Sequence, residues 1–316
     1  MSSIIAAKLA ERTGAFDLSF VFFRSPFFRG EDSISQEAKR LGFSLRCITL
    51  KRAFLRLPQE DGMLFPCRAC RRILLARAAR LFRRRRFDLL ITGEIVGKGG
   101  LGQAELLALD QELGLNGWVL RPLSAKLLPP TQAEQEGVVA REQFLDLTIS
   151  DAEVRLRQLA LSLGLSPQAD GRYCLLRDPV FARRCQAFAR DGTLTANFVR
   201  LLEFPHLFRL GPGKLLVIAS TPAEQVRLQE LFLPEDVRLY IPLPGSPLGL
   251  LRAPWTKIRP EERAELIRQA AAHLLALAGF PQDRPWTVCF RAEEAEETAR
   301  LQVWPELLQL REALVK

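Results

Sequence analysis

The chain has 316 residues, enough for about two domains, and its 48% hydrophobic and 26% charged content excludes an intrinsically disordered protein. The formal net charge of +9 comes with an excess of arginine, which indicates a polyanionic partner such as nucleic acid. No apolar run reaches the roughly 18 residues of a membrane span and no secretory signal pattern is present, so we expect no membrane partner and a cytoplasmic location.

The first half of the chain alternates helix and strand patterns. Strands separated by helices predict an α/β fold with a Rossmann-like parallel sheet that is covered on both faces. In such a sheet the ligand binds at the carboxyl ends of the strands. The predicted elements, in chain order, are a helix over Ser3–Glu11, a strand over Leu18–Phe23, a helix over Ser33–Leu41, a strand over Leu45–Thr49, a helix over Arg68–Phe82, a strand over Phe87–Thr92 and a helix over Ser150–Leu163.

The second half restarts after a turn-like stretch that contains Cys174. We predict a first domain over residues 1–178 and a second, smaller α+β domain over residues 179–316 that ends in a helical extension. Residues 242–258 are rich in proline, glycine and leucine and predict a loop or linker. The other predicted elements are helices over Val180–Arg190, Pro222–Phe232, Glu261–Leu277 and Glu297–Leu314, and strands over Lys214–Ser220, Val237–Ile241 and Trp286–Phe290.

Cys67 and Cys70 form a Cys-x-x-Cys pair directly after a proline. Two thiols at this spacing near a helix start can hold a metal or act as a redox pair. A structural zinc site usually needs two such pairs, and the chain has no second pair and only two histidines. An iron–sulfur cluster with three cysteines would require Cys174 as well, while two packed thiols without a function are the alternative. The remaining cysteines, Cys47, Cys185 and Cys289, are expected to be core or incidental residues.

A glycine-rich stretch, Gly93–Gly102, follows the predicted strand Phe87–Thr92 at the ligand edge of the sheet. Its glycines would let the backbone approach a phosphate or a base, although the spacing is not that of a Walker A loop. Glu94 is either a polar ligand to substrate or a solvated loop carboxylate. The proline-rich segment Arg121–Thr131 is expected to be functional, because long irregular segments inside compact domains usually are.

The arginines of the first half fall at opposite ends of one predicted helix. Arg83–Arg86 close that helix, which places them at the amino ends of the strands and favours a peripheral role, since cations stabilise a helix C-terminus. Arg68, Arg71 and Arg72 lie at the cysteine end and are the better candidates for the ligand edge.

Four blocks in a fixed order, PCRAC, TGEIVGKGGLGQ, RPLSAKLLPPT and DGRYCLLRDPVFARR, carry a family resemblance. The chain resembles a bacterial family of tRNA thiouridylase-like PP-loop ATPases over about residues 3–220. This family is similar to tRNA 2-thiouridylases and 4-thiouridine synthetases and is often labelled tRNA (5-methylaminomethyl-2-thiouridylate)-methyltransferase. The second part resembles the small RNA-binding module of such enzymes, which is related to one in ribosome quality-control factors, through FPHLFRLGPGKLLVIAS.

The resemblance implies a tRNA sulfurtransferase. ATP with Mg would adenylate a uridine carbonyl oxygen, and sulfur from sulfide or from a cysteine desulfurase persulfide would displace AMP. Cys67, Cys70 and Cys174 match the family's three cysteines, which hold a 4Fe-4S cluster in related enzymes. A persulfide relay between Cys70 and Cys174, as the catalytic pair, is the alternative use of these thiols. A homodimer is left open.

The chain departs from the family at the PP-loop, SGGxDS. Ser3 aligns with the last serine of that motif and Ser2 stands at its aspartate, so the preceding strand and the glycines are missing. We expect a mis-assigned start or a shortened chain rather than a natural variant. The missing glycines would have bound the pyrophosphate, and the missing strand would leave the edges of two neighbouring strands unpaired in the centre of the sheet. The residues implied to bind the nucleotide are Ser2, Ser3, Thr92, Gly93 and Glu94.

The resemblance and the charge together give a set of RNA-binding candidates and two rival functions. A non-catalytic tRNA-binding relic that has lost the ATP loop is the main alternative, and a zinc-stabilised RNA-binding module is another. For the segment that begins at Arg121, including Ser124, the alternative to a phosphate or tRNA contact is simple packing over the sheet. The candidates are Arg68, Arg71, Arg72, Arg121, Lys126, Arg209 and Lys214.

Overall fold

The structure, a computed structural model, describes residues 2–28, 31–50, 59–60, 63–64, 67–165, 174–189 and 194–306. The chain divides into two units, residues 1–174 and residues 175–316, so the division falls four residues before the boundary proposed above. Parts of the predicted elements, at residues 170–173, 190 and 307–314, lie outside the described residues. None of the described helices is long and apolar enough to cross a membrane.

The first unit is a mixture of helices and short strands. Five of its described helices have ten or more residues, while the strands are two to five residues long. The elements are α1 (Ser2–Arg12), β1 (Phe20–Arg24), α2 (Glu31–Arg40), β2 (Leu45–Thr49), β3 (Gln59–Glu60), β4 (Met63–Leu64), α3 (Cys67–Arg85), β5 (Leu90–Ile91), α4 (Gln103–Glu112), β6 (Val119–Leu120), α5 (Gln132–Gln135) and α6 (Ala152–Ser162).

The strands of the first unit pair only in twos among the described residues. β1 pairs with β2 in parallel, from Phe20 opposite Leu45 onwards, and β5 pairs with β6 in parallel, but the two pairs are not hydrogen-bonded to each other. The expectation of one Rossmann-like parallel sheet is therefore not met by the described strands. The β1 strand is half-buried along its whole length, whereas the strands of a continuous parallel sheet are buried on both faces.

Helices α1 and α6 form one side of the first unit's core. Ile5 and Ala6 of α1 pack into one apolar cluster with Leu156 and Ala160 of α6, together with Ile95, which follows β5. The four-residue step from Leu156 to Ala160 places both side chains on one face of α6. This cluster fixes the start of α1 beside the segment that follows β5.

The second unit contains a six-stranded sheet, which is the largest sheet of the structure. Every strand pair in it is antiparallel, in the order β12-β11-β9-β10-β8-β7, so the main sheet is not the parallel sheet predicted from the sequence. The elements are α7 (Pro179–Ala189), α8 (Ala196–Leu201), β7 (His206–Gly211), β8 (Lys214–Ala219), α9 (Pro222–Gln229), β9 (Val237–Tyr240), β10 (Leu248–Arg252), α10 (Pro260–Leu277), β11 (Trp286–Ala292) and β12 (Ala299–Val303).

Two predictions for the second unit are wrong. Residues 242–258 were expected to be a loop, but they contain β10, which lies in the interior of the sheet between β9 and β8. Glu297–Leu314 was expected to be helical, but its described part contains β12, which pairs antiparallel with β11. In both segments, pairing with neighbouring strands determines the secondary structure. A short run gains backbone hydrogen bonds in a sheet even when its residues have no strong β propensity.

Helix α10 covers one face of the six-stranded sheet. Its buried residues, including Ala270 and Leu274, pack against Val237 and Leu239 of β9 and Val288 of β11. Arg238 and Tyr240 alternate with the buried residues of β9, so they lie on the opposite face.

Candidate functional site

The three cysteines singled out by the sequence lie near one another in the first unit. Cys67 is the exposed first residue of α3, and Cys70 lies one turn later and is half-buried. Cys174 forms an isolated antiparallel bridge with Phe28, which follows β1. Cys67 and Cys174 are both close enough to Cys70 to raise the pKa of its thiol electrostatically. The structure therefore brings Cys174 to the start of α3 across a long stretch of chain.

Burial dominates the chemistry of Cys70. It raises the pKa of the Cys70 thiol from 9.0 to about 12, and the neighbouring Cys174 and Cys67 add to the increase. The Arg71 guanidinium acts in the opposite direction but does not compensate. Cys70 is therefore a neutral thiol near pH 7, and binding a metal or acting as a nucleophile would require it to lose a proton.

The predicted glycine-rich loop packs against Cys67. Gly97, Gly99 and Gly100 all have positive φ and form a tight turn before α4. A Cβ atom added at Gly99 would lie 3.3 Å from Cβ and 3.4 Å from Sγ of Cys67. A side chain at position 99 would therefore crowd the thiol, and the loop forms one wall around Cys67.

Gly93 lies directly against the first residues of α1. A Cβ atom added at Gly93 would lie 2.7 Å from the carbonyl carbon of Ser2 and closer still to the backbone of Ser3. Three of the residues implied to bind the nucleotide, Ser2, Ser3 and Gly93, therefore lie together. They are at the carboxyl end of β5, which is the end at which parallel strands present their ligand.

Glu94, the next residue, is buried and ion-paired with two arginines. Its Oε2 lies 2.7 Å from Arg121 Nε and accepts a hydrogen bond from Thr92 Oγ1 at 3.2 Å. Its Oε1 lies 2.9 Å from Arg71 Nε, in an ion pair whose N–H is not aligned for a hydrogen bond. Glu94 is thus a buried, paired carboxylate rather than a solvated one, and it links the segment after β5 to the cysteine helix.

Arg121 extends this network into the core. Its two terminal nitrogens donate to the carboxylate of Asp110 at 2.7 and 2.8 Å, and only 1% of its side chain is exposed. Burial raises the pKa of Asp110, and the nearby Arg121 only partly offsets this increase. Burial alone would lower the pKa of Arg121, but the carboxylates of Asp110 and Glu94 outweigh burial, so the pKa of Arg121 is raised. The guanidinium is therefore committed to two buried acids and does not reach the surface of the unit.

The rest of the RPLSAK segment also packs inward. The Ser124 hydroxyl is fully buried, donates to the Leu147 carbonyl at 2.6 Å and accepts from the Val96 amide at 3.2 Å. Lys126 is the exposed cation of this segment. Arg121 and Ser124 therefore pack inside the unit, which was the alternative to a phosphate or tRNA contact. Lys126 is exposed and can contact a ligand.

The remaining RNA-binding candidates differ in exposure. Arg68 is exposed beside Cys67, and Arg72 is exposed and ion-paired with Glu112. In the second unit, Arg209 lies over the ring of Phe188 at 5.8 Å, and Lys214 Nζ lies 2.6 Å from a carboxylate oxygen of Glu262.

One residue of this site was not found from the sequence. Asp110 lies on α4, a helix that the sequence analysis did not predict, and it is the bidentate partner of Arg121. The sequence nevertheless contains a pattern that could have revealed it. An i, i+3, i+4 spacing relates Leu106, Leu109 and Asp110, and it places an acid on the apolar face of a helix. A charged residue at such a position usually has a buried partner.

The three cysteines have the type of donor atom that an iron–sulfur cluster requires. Thiolates are the protein ligands of such clusters, and none of the six cysteines forms a disulfide. Within the described part of the chain, no three His, Cys, Asp or Glu side chains are close enough together to hold one metal ion.

The comparisons with known proteins do not reveal a family. No protein-family model matches the chain, and no curated protein matches it. Among solved structures, the C-terminal part of the fibronectin/fibrinogen-binding protein from Streptococcus suis is similar, with a TM-score of 0.28, 7% identity, and coverage of 77% of this chain and 98% of that one. A TM-score this low does not establish a shared fold. Because neither a family model nor a curated protein matches the chain, the resemblance to PP-loop ATPases stays a prediction.

Proposed function

We propose that this chain is a tRNA sulfurtransferase of the PP-loop type. In this proposal the first unit thiolates a uridine of tRNA after ATP-dependent adenylation, and the second unit binds RNA. The observation that carries the proposal is the convergence of Cys67, Cys70 and Cys174 beside a segment, Thr92–Glu94, that also contacts the start of α1. Sequence blocks that are far apart in the chain thereby meet around one region of one unit.

The proposal assigns a 4Fe-4S cluster to the three thiolates. A cluster with three protein ligands has one iron open, and that iron would supply a site for a sulfide to be transferred. Cys67 is exposed and could exchange ligands with solvent, whereas Cys70 is deeper and must be deprotonated. Arg71 lies next in sequence to Cys70 and ion-pairs with Glu94, so its positive charge favours the Cys70 thiolate while it holds the carboxylate.

The fit to ATP is partial. Ser2 and Ser3 begin an 11-residue helix, and helix N-termini favour phosphate through their unpaired amides. The glycines of the family's loop precede Ser2 in the pattern and are not part of this sequence. We therefore propose these two residues and Gly93 as neighbours of the nucleotide, and we derive no adenylation step from the described residues.

The Rossmann-like fold of the first unit is also part of the proposal. Two parallel pairs, β1 with β2 and β5 with β6, support it, because parallel strands with helical crossovers are typical of doubly wound sheets. The contact between the start of α1 and Gly93 adds support, since it places the N-terminus of a helix at the carboxyl end of β5.

The direct test is a thiolation assay. The anaerobically prepared chain, loaded with iron and sulfide, is incubated with tRNA, ATP, Mg and sulfide, and thiouridine is measured by mass spectrometry of the digested tRNA. We expect thiouridine and AMP to form together, and we expect Cys174→Ser to abolish both thiouridine formation and cluster loading. Cys289→Ser, at a buried position in the second unit, is the matched control and should remain active.

The same assay, together with metal analysis of aerobically purified protein, separates the rival functions. A non-catalytic tRNA-binding relic would bind tRNA without releasing AMP or forming thiouridine. A zinc-stabilised RNA-binding module would instead contain stoichiometric zinc after aerobic purification. Either result, with correctly folded protein, would overturn the sulfurtransferase proposal.

A further inference from the structure

The second unit has a cleft on the sheet face that α10 does not cover. Its volume is about 380 Å³, within the range of about 300–1,000 Å³ that is usual for small-molecule sites. Its floor is formed by Arg238 and Tyr240 of β9 and by Arg291 of β11. One wall is α9, which is tied to the adjacent loop by a hydrogen bond from Gln225 Nε2 to the Ser246 carbonyl at 3.0 Å.

The floor of this cleft carries more positive charge than its partners neutralise. Arg238 and Arg291 are directly opposite each other in the β9–β11 register, and like charges at such positions destabilise a sheet. Arg238 is compensated, because both oxygens of Glu293 lie 2.9 Å from its nitrogens. For Arg291 the described residues provide only a long hydrogen bond, from Nη1 to the Ala295 carbonyl at 3.4 Å. The Arg291 guanidinium can therefore accept a further anionic partner.

Tyr240 adds an aromatic ring beside these cations. It lies two residues from Arg238 on the same strand face and is half-buried, so part of its ring lines the cleft. Gln229 and Thr298, two residues with hydrogen-bonding side chains, also line the cleft. An arginine that can hold a phosphate, an aromatic face for stacking and nearby amide and hydroxyl groups are the combination that recognises an unstacked nucleotide.

We propose that this cleft binds one nucleotide of a single-stranded RNA segment, with Arg291 on the phosphate and Tyr240 stacked on the base. The volume accommodates a single nucleotide but not a duplex, so the RNA enters as a loop or an end. The choice of RNA rests on the proposed function. The expectation of an anionic ligand with a planar ring rests on Arg291 and Tyr240 of the cleft itself. Arg209 and Lys214, the candidates from sequence, do not line this cleft.

The test measures binding of a short fluorescein-labelled oligouridylate to the full chain by fluorescence anisotropy. Arg291→Gln should weaken binding about tenfold, as expected for loss of one charge-assisted contact, and should lower the salt-dependence slope by about one. Tyr240→Leu should weaken binding about tenfold through lost stacking, while Tyr240→Phe and Arg291→Lys should retain most of it. Arg268→Gln, on the exposed side of α10, is the matched control and should bind like the wild type.

Two results would overturn the proposal. The first is unchanged RNA affinity in both Arg291→Gln and Tyr240→Leu, with thermal melts that show folded protein. The second is competition by inorganic phosphate that equals competition by unlabelled oligouridylate, which would indicate a simple anion site. The thiolation assay separates this proposal from the proposed function. If the wild-type chain does not thiolate tRNA but the two variants still lose RNA affinity, the cleft assignment stands and the sulfurtransferase proposal fails.

Discussion

At the scale of single residues, the environment of Cys70 sets the state of the candidate site. Burial raises the pKa of this thiol to about 12, so the neutral form is favoured in the folded chain up to well above neutral pH. Because the folded pKa exceeds the ordinary value of 9.0, the resulting stability is present below about pH 9 and is lost as the pH rises towards 12. Metal binding at Cys70 would therefore compete with a proton.

Alkylation of the metal-free protein tests this state. At pH 8 the thiolate fraction of Cys70 should be about 1,000-fold lower than that of a thiol with the ordinary pKa, since each pKa unit is a factor of ten. Iodoacetamide labelling followed by peptide mass spectrometry should show slow modification of Cys70 and earlier modification of the exposed Cys67. Equal labelling rates for the two cysteines would contradict the burial of Cys70.

Arg121 is the residue whose loss should destabilise the first unit most directly. Arg121→Met would leave the carboxylates of Asp110 and Glu94 buried without their shared cation, which typically costs about 3–5 kcal/mol of unfolding free energy. Urea denaturation measures the difference. The deficit should shrink as the pH falls, because protonation removes the unpaired buried charges.

The control for this prediction is Arg157→Gln, which removes an exposed ion pair with Glu153 on α6. It should change the free energy of unfolding only slightly, since exposed pairs contribute little. Equal losses in Arg121→Met and Arg157→Gln would show that the buried network does not stabilise the unit.

At the scale of elements, pattern predicted some helices and strands closely and missed or misassigned others, among them helix α4. The strand Leu45–Thr49 was predicted with the bounds that the structure has, and the helix at the cysteines extends only a few residues beyond its prediction. β10 was missed because LGLLR is a short run between prolines, and its strand state depends on β8 and β9 on either side. β12 was misread because ARLQV fits a helical pattern until its pairing with β11 is known.

The junction of α1 with the segment after β5 brings Ser2, Ser3 and Gly93 together. Gly93→Ala would place a methyl group within the backbone of Ser2 and Ser3, so either α1 or the Thr92–Glu94 segment must move. Overpacking of this kind typically costs about 1–3 kcal/mol. We expect a lower thermal midpoint and, in the thiolation assay, weaker nucleotide-dependent activity.

Gly102→Ala is the matched control for this substitution. Its added Cβ would meet only the carboxylate end of Glu105, a flexible side chain that can turn away. A Gly93→Ala protein with the stability of Gly102→Ala would mean that α1 does not pack against Gly93 as described.

At the scale of the whole molecule, two separate units carry different parts of the proposed function. A change of pattern near Cys174 led to a predicted boundary after residue 178, and the structure divides after residue 174. The grouping of the three cysteines came from the family resemblance and stays a prediction. The sequence could not predict the pairing of Arg121 with Asp110, because that contact depends on how α4 packs against the segment after β6. It also could not predict the cleft over β9 and β11, because cross-strand register is not visible before the strands are paired.

The central claim is that Cys67, Cys70 and Cys174 form one iron–sulfur site. Anaerobic reconstitution with ferrous iron and sulfide, followed by visible spectroscopy and iron analysis, tests it most directly. We predict the visible absorbance of an iron–sulfur cluster and about four irons per chain, with loss of both in Cys67→Ser, Cys70→Ser and Cys174→Ser and no loss in Cys47→Ser. A protein that binds no iron, or a Cys174→Ser variant that loads as fully as the wild type, would contradict the claim.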